Sequence, residues 1–204
     1  NGVERINVSL DSLDPSTFAE ITRGGDLQQV LQGIADARSA GLKVRINMVA
    51  LKDLNSHEVP AMAEYCAANG HDLAFIETMP LGDGVSGRTE QFIALEDFIA
   101  PLRQSNDIIP ISHRTAGPAR YFQVEPMGLR IGLITPMTHN FCGDCNRLRL
   151  GSDGKVHMCL GSEFHVDFKD AIRAGGLDAV DRLLQKALRL KPERHDFERQ
   201  LEDR

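Results

Sequence analysis

The chain has 204 residues, a formal net charge of −6 and an apolar fraction of 42%, which suits one large domain or a domain with a smaller satellite. The negative net charge excludes a global basic field, so nucleic acid and membrane surfaces are not expected partners, and any anion must bind locally. No run of about eighteen apolar residues and no signal peptide occurs, so we expect a cytoplasmic protein.

The first half of the sequence alternates predicted strands with predicted helices. Asp14 and Pro15 open the first helix, as an N-cap acid and a proline at the first helical position. Further helices are predicted at about 27–40 and at about 56–68, where Ser56 is the expected cap. This alternation implies right-handed crossovers and a parallel sheet. The predicted strands of that sheet are 3–10, 43–51 and 73–79.

Functional residues are expected where these strands end. In parallel sheets, sites lie at the carboxyl ends of the strands. Ser9 and Asp11 come at the end of the first predicted strand, and Glu77 and Met79 come at the end of the third. We therefore predict that these four side chains lie on a functional rim, where Asp11 and Glu77 either orient ligands or are simply solvated or hydrogen-bonded carboxylates.

The second half of the chain has a different pattern. A helix is predicted at about 94–104 and shorter elements follow it, so we place a domain boundary between residues 107 and 108. The expected domains are therefore 1–107 and 108–204. The elements predicted in the second are strands at 108–112, 119–124 and 130–134, a hairpin of 147–150 with 155–158, and helices at about 167–174 and 177–190.

Three clustered cysteines carry the most specific chemistry. Cys142 and Cys145 are separated by two residues, and Cys159 follows after thirteen more. Clustered cysteines without a secretory signal favour metal binding over disulfides. A structural zinc site needs four protein ligands, whereas a cubane iron–sulfur cluster held by three thiolates leaves one iron open to a substrate atom. The alternative is a structural zinc site, with a fourth ligand from His139, His157 or Cys66.

Two arginines follow the second cysteine. In a strand, alternate residues share a face, so Arg147 and Arg149 are predicted to project together. Leu148 and Leu150 then face the other side. Two guanidinium groups on one face can clamp a phosphate or a purine edge, so with an open iron they predict a site for an anionic ligand that also touches metal. A solvated strand face is the alternative.

Several stretches of the sequence, taken in order, match the motifs of one known family. They are Ile6–Leu13, Ile21–Gly24, Phe75–Glu77 with Met79, Gly117–Arg120 and Cys142–Leu160. In these motifs the chain resembles the GTP 3′,8-cyclases of molybdenum cofactor biosynthesis, which are radical S-adenosylmethionine enzymes. The resemblance runs from Gly2 to about Phe197 and is most specific in the cysteine block.

The resemblance implies a fold and a reaction. The fold is α/β: the C-terminal part of an incomplete, TIM-like (β/α) barrel of the radical S-adenosylmethionine type, followed by a smaller α+β extension that carries an iron–sulfur site. In the family, one [4Fe-4S] cluster cleaves S-adenosylmethionine, and the 5′-deoxyadenosyl radical abstracts the ribose 3′ hydrogen of GTP. The carbon radical then attacks C8 of guanine, while a second [4Fe-4S] cluster in the extension binds GTP through its open iron.

The resemblance also implies roles for individual residues. The implied ligands of the C-terminal [4Fe-4S] cluster are Cys142, Cys145 and Cys159, and the implied GTP-binding run is Arg147, Leu148 and Arg149. Ser9 and Met79 match contacts to S-adenosylmethionine. Arg45 stands where the family usually has a GTP-contacting lysine, which keeps the charge but changes reach and geometry.

The sequence departs from the family in two places. Ala74 stands where the family usually has an arginine, and losing one charged contact weakens triphosphate binding by roughly 1.5–3 kcal/mol if the site is otherwise intact. The Cys-x3-Cys-x2-Cys motif of the S-adenosylmethionine cluster and the first barrel strands are absent. We therefore expect this chain to be a truncated portion of a longer enzyme and to be inactive by itself.

Two other functions stay open at this point. One is a different radical S-adenosylmethionine enzyme with an auxiliary cluster, although such extensions typically carry more than three cysteines. The other is a non-catalytic module that binds zinc or an iron–sulfur cluster. GTP and S-adenosylmethionine are the expected small-molecule partners, and a homodimer is an assembly that the sequence leaves open.

Overall fold

A computed structural model describes residues 2–81, 89–115, 117–162, 164–174, 176–195 and 197 of the chain. Contacts between residues divide the chain into two units, Asn1–His139 and Asn140–Arg204. The predicted boundary between residues 107 and 108 falls inside the first unit, at the start of a strand. The predicted domains 1–107 and 108–204 therefore differ from the two contact units and stay a prediction. Over the described ranges, no helix has the length and apolar character needed to cross a membrane.

Within the described residues, a six-stranded sheet forms the centre of the first unit. Its strands are β1 (Arg5–Ser9), β2 (Lys43–Ala50), β3 (Asp72–Glu77), β4 (Asp107–Pro110), β5 (Arg120–Glu125) and β6 (Leu129–Ile134). They lie in the order β1-β2-β3-β6-β5-β4. The pairs β1–β2, β2–β3 and β3–β6 are parallel, which confirms the predicted parallel sheet, whereas β4–β5 and β5–β6 are antiparallel. The sheet therefore continues through strands that the sequence pattern assigned to a separate region.

Helices connect the parallel strands of the first unit. Those in its described part are α1 (Pro15–Thr22), α2 (Leu27–Ser39), α3 (Val59–Asn69), α4 (Leu95–Phe98) and α5 (Ala100–Arg103). The Asp14 carboxylate caps α1 by accepting the Thr17 amide at 2.8 Å, as predicted. The predicted cap at Ser56 was wrong. Ser56–Glu58 form a 3₁₀ turn before α3, and the Ser56 hydroxyl donates to the Lys52 carbonyl instead.

The two faces of the sheet differ in polarity. One face packs into the apolar core through Val44, Ile46, Met48, Leu73, Phe75, Ile131 and Leu133. On the other face, the register aligns one residue from each of four neighbouring strands: Asn47 of β2, Ala74 of β3, Gly132 of β6 and Tyr121 of β5. Arg45 lies two residues before Asn47 and therefore shares this face. We call this second face of the sheet the polar face.

The second unit has its own small sheet and helices. Its described elements are β7 (Arg149–Leu150), β8 (Lys155–His157), β9 (His165–Asp167), α6 (Lys169–Ala174) and α7 (Gly176–Arg189). The antiparallel β7–β8 hairpin and the two helices confirm the predictions, whereas the three-residue strand β9 was not predicted. Its core is Val156, Met158, Val166, Phe168 and Ala187. Arg147 lies before β7 rather than in it, so strand alternation does not place Arg147 and Arg149 on one face.

Candidate functional site

The three clustered cysteines lie in the second unit, on two segments. Cys142 begins a 3₁₀ turn, Cys142–Asp144, and the Cys145 amide donates to the Cys142 carbonyl at 3.1 Å. Cys159 comes two residues after β8 and follows the buried Met158. All three are free thiols with half-buried side chains. Half-buried thiols in loops are accessible to a metal, unlike a cysteine packed in a core.

Lys191 joins the two cysteine-bearing segments. Its Nζ atom donates to the Arg147 carbonyl at 2.9 Å and to the Met158 carbonyl at 2.8 Å. The same atom lies 3.6 Å from Sγ of Cys145. The ammonium thus holds the chain just after Cys145 and just before Cys159. Lys191 was not predicted from the sequence, because it stands 32 residues after Cys159 and no local motif marks it.

The three thiols suit an iron–sulfur cluster in their chemistry and their accessibility. Cysteine thiolates are the usual ligands of [4Fe-4S] clusters, and three of them leave one iron without a protein ligand. Among the residues that the structure describes, no group of three or more His, Cys, Asp or Glu side chains could hold a metal ion as it stands. Both cysteine segments lie outside the strands of the small sheet, so their backbones are not held by sheet hydrogen bonds.

The side chains considered as a fourth zinc ligand have other surroundings. Cys66 is fully buried in α3, and burial raises the pKa of its thiol to about 12. Cys66 is therefore a buried helical cysteine, and a protonated buried thiol is a poor metal ligand. The ring of His157 packs 5.4 Å from that of His165, between centroids. Nδ1 of His139 lies 3.3 Å from Oγ1 of Thr138.

The arginine run follows the second cysteine directly. Arg147 and Arg149 are both exposed, whereas Leu148 is half-buried and packs against the core of the second unit. Arg149 is paired with His157 across the β7–β8 hairpin. Both guanidinium groups are therefore accessible to an anion from solvent, and the Leu148 side chain is engaged in packing.

The side chains of the predicted rim have different environments. Ser9 is exposed at the end of β1, and its hydroxyl lies 3.4 Å from Oδ2 of Asp11. Oδ1 of Asp11 accepts the Val49 amide at 2.7 Å, and burial raises the pKa of this carboxyl above its ordinary value. Met79 is half-buried and comes two residues after β3. Asp11 therefore ties the end of β1 to β2, while Ser9 and Met79 present partly accessible surface.

Glu77 acts as a structural carboxylate. It is fully buried at the end of β3 and accepts the amides of Met137 at 2.8 Å and Thr138 at 3.0 Å. The Thr138 hydroxyl donates to its other oxygen. These bonds fasten the turn that follows β6 and engage both carboxylate oxygens. Glu77 is therefore a hydrogen-bonded carboxylate that ties the end of β3 to this turn.

Arg45 on the polar face is buried and incompletely paired. Only 7% of it is exposed, and its Nη1 donates to the Tyr121 hydroxyl at 2.8 Å. Its Nε and Nη2 atoms are buried without a hydrogen-bond partner in the described part of the chain, as is Oδ1 of Asn47. Buried charged donors without partners are unfavourable in a folded protein. A bound anion would satisfy them.

Two family models match the chain over different segments. Residues 71–197 match the model of the family Molybdenum Cofactor Synthesis C, and residues 1–66 match that of the Radical SAM superfamily. The first match covers more than half of the 204 residues.

Several named proteins are similar to this chain along almost its whole length. It is 48% identical over 199 residues to the "GTP 3′,8-cyclase" of Paracoccus denitrificans, which covers 97% of this chain and 58% of that protein. It is 46% identical over 197 residues to the protein of the same name from Erythrobacter litoralis, covering 96% of this chain and 59% of that one. It is 48% identical over 197 residues to the protein of the same name from Sinorhizobium medicae, covering 96% of this chain and 56% of that one. The chain therefore spans somewhat more than half the length of these relatives.

Proposed function

Because this chain belongs to the Molybdenum Cofactor Synthesis C family, we propose that it serves as a GTP 3′,8-cyclase of molybdenum cofactor biosynthesis. The family resemblance found in the motifs is thereby confirmed. The proposed reaction converts GTP to (8S)-3′,8-cyclo-7,8-dihydroguanosine 5′-triphosphate. One observation carries the proposal: three accessible thiols, on segments joined through Lys191, occur in a chain 48% identical to a protein of that name.

The proposed architecture follows the same family. Residues 1–107, with the parallel strands β1, β2 and β3, are proposed to be part of an incomplete (β/α) barrel of the radical S-adenosylmethionine type, since residues 1–66 match that superfamily. Residues 108–204, with the small β7–β9 sheet, are proposed to be the extension that carries the iron–sulfur site. The mixed α/β composition and the parallel-rich sheet support this assignment.

The proposed cofactors are a [4Fe-4S] cluster and S-adenosylmethionine. Cys142, Cys145 and Cys159 would hold the cluster, which supplies an iron with an open coordination position for the substrate. Ser9 and Met79 would contact S-adenosylmethionine, whose reductive cleavage requires a second [4Fe-4S] cluster that these three cysteines do not provide. Support for Ser9 and Met79 comes from their partly accessible positions at the carboxyl ends of two parallel strands.

The proposed GTP-binding residues are Arg45, Arg147, Leu148 and Arg149. Arg45 has two buried donors without a partner in the described residues, which suits a phosphate oxygen pair. Arg147 and Arg149 are exposed guanidinium groups next to the cluster cysteines. Leu148 packs its side chain into the second unit, so its contribution would come from the main chain. These residues bind and orient the substrate, and the cofactors supply the radical chemistry.

A non-catalytic metal-binding module is the second candidate. Lys191 already joins the two cysteine segments through protein hydrogen bonds, as a purely structural metal site would require. A different radical S-adenosylmethionine enzyme is less well supported, because the relatives that match along almost the whole chain carry the cyclase name.

Anaerobic reconstitution with iron and sulfide separates the two candidates. For the cyclase we expect about four irons per chain and the visible absorbance of a [4Fe-4S] cluster. We also expect the electron paramagnetic resonance spectrum to change when GTP is added. Cys159→Ser should lose most of the iron, whereas the matched control Cys66→Ala should retain it, because Cys66 lies in the core of the other unit. One zinc per chain with no response to GTP would establish the module instead.

Turnover needs a separate assay. A chimera that places the N-terminal segment of the Paracoccus denitrificans relative before this sequence can be supplied with S-adenosylmethionine, reductant and GTP. Mass spectrometry should then detect the cyclised triphosphate and 5′-deoxyadenosine in equal amounts. 5′-Deoxyadenosine without cyclised product, from a chimera with full iron content, would contradict the proposed reaction.

A further inference from the structure

The guanidinium of Arg45 is hydrogen-bonded on one side. Its Nη1 donates to the Tyr121 hydroxyl at 2.8 Å, while Nε and Nη2 lack a partner in the described residues. Nε and Nη2 lie on one edge of the planar group. Two parallel N–H bonds from such an edge match two oxygens of a phosphate or carboxylate. The bond to Tyr121 therefore leaves the bidentate Nε–Nη2 edge for a ligand.

The direction of the Arg45 side chain depends on two small residues. Arg45 lies on β2 and Tyr121 on β5, with β3 and β6 between them. A Cβ added at Gly132 of β6 would lie 3.1 Å from Nη2 of Arg45, so the guanidinium reaches over that strand. On β3, the register places Ala74 beside Gly132, and the Ala74 side chain ends at Cβ. Arg45 can therefore cross β3 to reach Tyr121.

Tyr121 is itself held in place. Its hydroxyl lies 3.0 Å from Oγ1 of Thr115, which also accepts the Gly117 amide at 3.3 Å. The ring of His113 packs edge-on against the Tyr121 ring, with centroids 4.6 Å apart. The guanidinium carbon of Arg45 lies 5.5 Å from the same ring centroid, within range of a cation–π contact. Tyr121 thus presents a fixed acceptor to Arg45.

We propose that Tyr121 is a positioning residue, which aims the Nε–Nη2 edge of Arg45 at two oxygens of a phosphoryl group. Tyr121 acts through Arg45 and need not touch the ligand. The choice of a phosphoryl group over a carboxylate rests on the proposed function, since GTP is the proposed substrate. Without the tyrosine oxygen, Nη1 also loses its acceptor, and the guanidinium is free to rotate away from the orientation that the ligand requires.

Tyr121→Phe tests the inference in the reconstituted 204-residue chain. Phenylalanine keeps the ring contacts and removes the oxygen. We expect binding of GTP and of inorganic triphosphate, measured by calorimetry at fixed ionic strength, to weaken about fivefold or more, while guanosine binding is unchanged. Tyr65→Phe is the matched control, because Tyr65 is the other tyrosine of the chain and lies on α3. It should bind all three probes as the wild type does.

A double variant separates positioning from a general structural effect. If Tyr121 acts through Arg45, adding Tyr121→Phe to Arg45→Ala should cause no further loss of triphosphate binding. Thermal unfolding followed by circular dichroism is measured first, so that binding is compared at a temperature at which every variant is folded. Losses that add in the double variant, or a loss of the same size in Tyr65→Phe, would overturn the inference.

The probes also separate this inference from the proposed function. Suppose that the wild type binds inorganic triphosphate, that Tyr121→Phe weakens this binding, and that GTP binds no more tightly than triphosphate. This result would sustain the inference about Tyr121 and would count against a specific GTP site. Equal binding of GTP by wild type and Tyr121→Phe would overturn the inference and leave the proposed function intact.

Discussion

Nζ of Lys191 lies 3.6 Å from Sγ of Cys145, so an ammonium group adjoins a candidate cluster ligand. The same atom donates to the carbonyls of Arg147 and Met158, which lie in the two cysteine-bearing segments. Hydrogen bonds to ligand sulfur and the orientation of ligand loops are the means by which proteins tune iron–sulfur centres. Lys191 would supply both to the proposed cluster from outside the cysteine motif.

Removing the Lys191 ammonium should loosen the cysteine segments. Lys191→Met keeps the length of the side chain and removes its donors, so the two carbonyls lose a charged partner. We expect the free energy of unfolding to fall by roughly 1.5–3 kcal/mol and iron content after reconstitution to fall as well. Urea denaturation followed by circular dichroism and an iron assay measure these effects.

The matched control for this variant is Lys186→Met, because Lys186 is exposed on α7. The control should match the wild type in both measurements. Wild-type stability together with wild-type iron content in Lys191→Met would show that Lys191 does not organise the site.

Cys66 should be unreactive in the folded chain. Burial raises the pKa of its thiol to about 12, so near pH 8 the thiol at this position stays protonated and unreactive. We expect a thiol reagent to label Cys142, Cys145 and Cys159 in the metal-free chain, and Cys66 only after denaturant is added. Peptide mapping identifies the labelled cysteines. Rapid labelling of Cys66 without denaturant would contradict its buried position.

Asp14 should make folding sensitive to acid. Hydrogen bonds from the Ser16 side chain and the Thr17 amide lower the pKa of this carboxyl from 3.8 to about 2. Because the folded pKa is depressed, the stabilisation is present above about pH 4 and is lost as the pH falls toward 2. Asp14→Asn keeps a capping side chain that does not titrate. Its unfolding free energy should therefore fall less than that of the wild type over this range.

Urea midpoints between about pH 4.5 and pH 2.5 measure the difference in slope. Ser16→Ala removes the first cause of the shift and should give a slope between those of wild type and Asp14→Asn. Parallel curves for all three proteins would rule out a pH-linked cap at Asp14.

Arg45 and Ala74 should behave as a pair. The resemblance to the family implies that Ala74→Arg would restore a phosphate contact. Because Arg45 crosses β3 beside Ala74, a second long side chain there competes for the same space. We therefore expect Ala74→Arg alone to weaken triphosphate binding roughly tenfold. Arg45→Lys alone loses the bidentate edge and should weaken binding by a similar factor.

Combining the two substitutions should restore binding. Arg45→Lys with Ala74→Arg removes the crowding and returns a guanidinium to the polar face, so we expect affinity within about threefold of the wild type. Calorimetric titration of all four proteins with inorganic triphosphate completes the cycle. Losses that simply add in the double variant would show that the two positions are independent.

The local features of this protein can be predicted from short stretches of its sequence. Apolar periodicity predicted the parallel strands and their helices, and Asp14-Pro15 predicted the start of α1. The spacing of Cys142, Cys145 and Cys159 predicted metal binding, and the motifs together carried the resemblance to the family. Each of these signals lies within a short stretch of chain, because backbone capping, strand alternation and ligand spacing depend on neighbouring residues.

The meeting of residues far apart in the sequence could be seen only in the folded chain. The pairing of β6 with β3, the path of Arg45 to Tyr121, the bonds from the turn after β6 to Glu77, and the return of Lys191 to the cysteines all join residues far apart in sequence. Strand order and register set these contacts, and neither leaves a periodic mark in the sequence. The cysteines were therefore found from their spacing, whereas the side chains that position Arg45 and hold the cysteine segments became visible only in the fold.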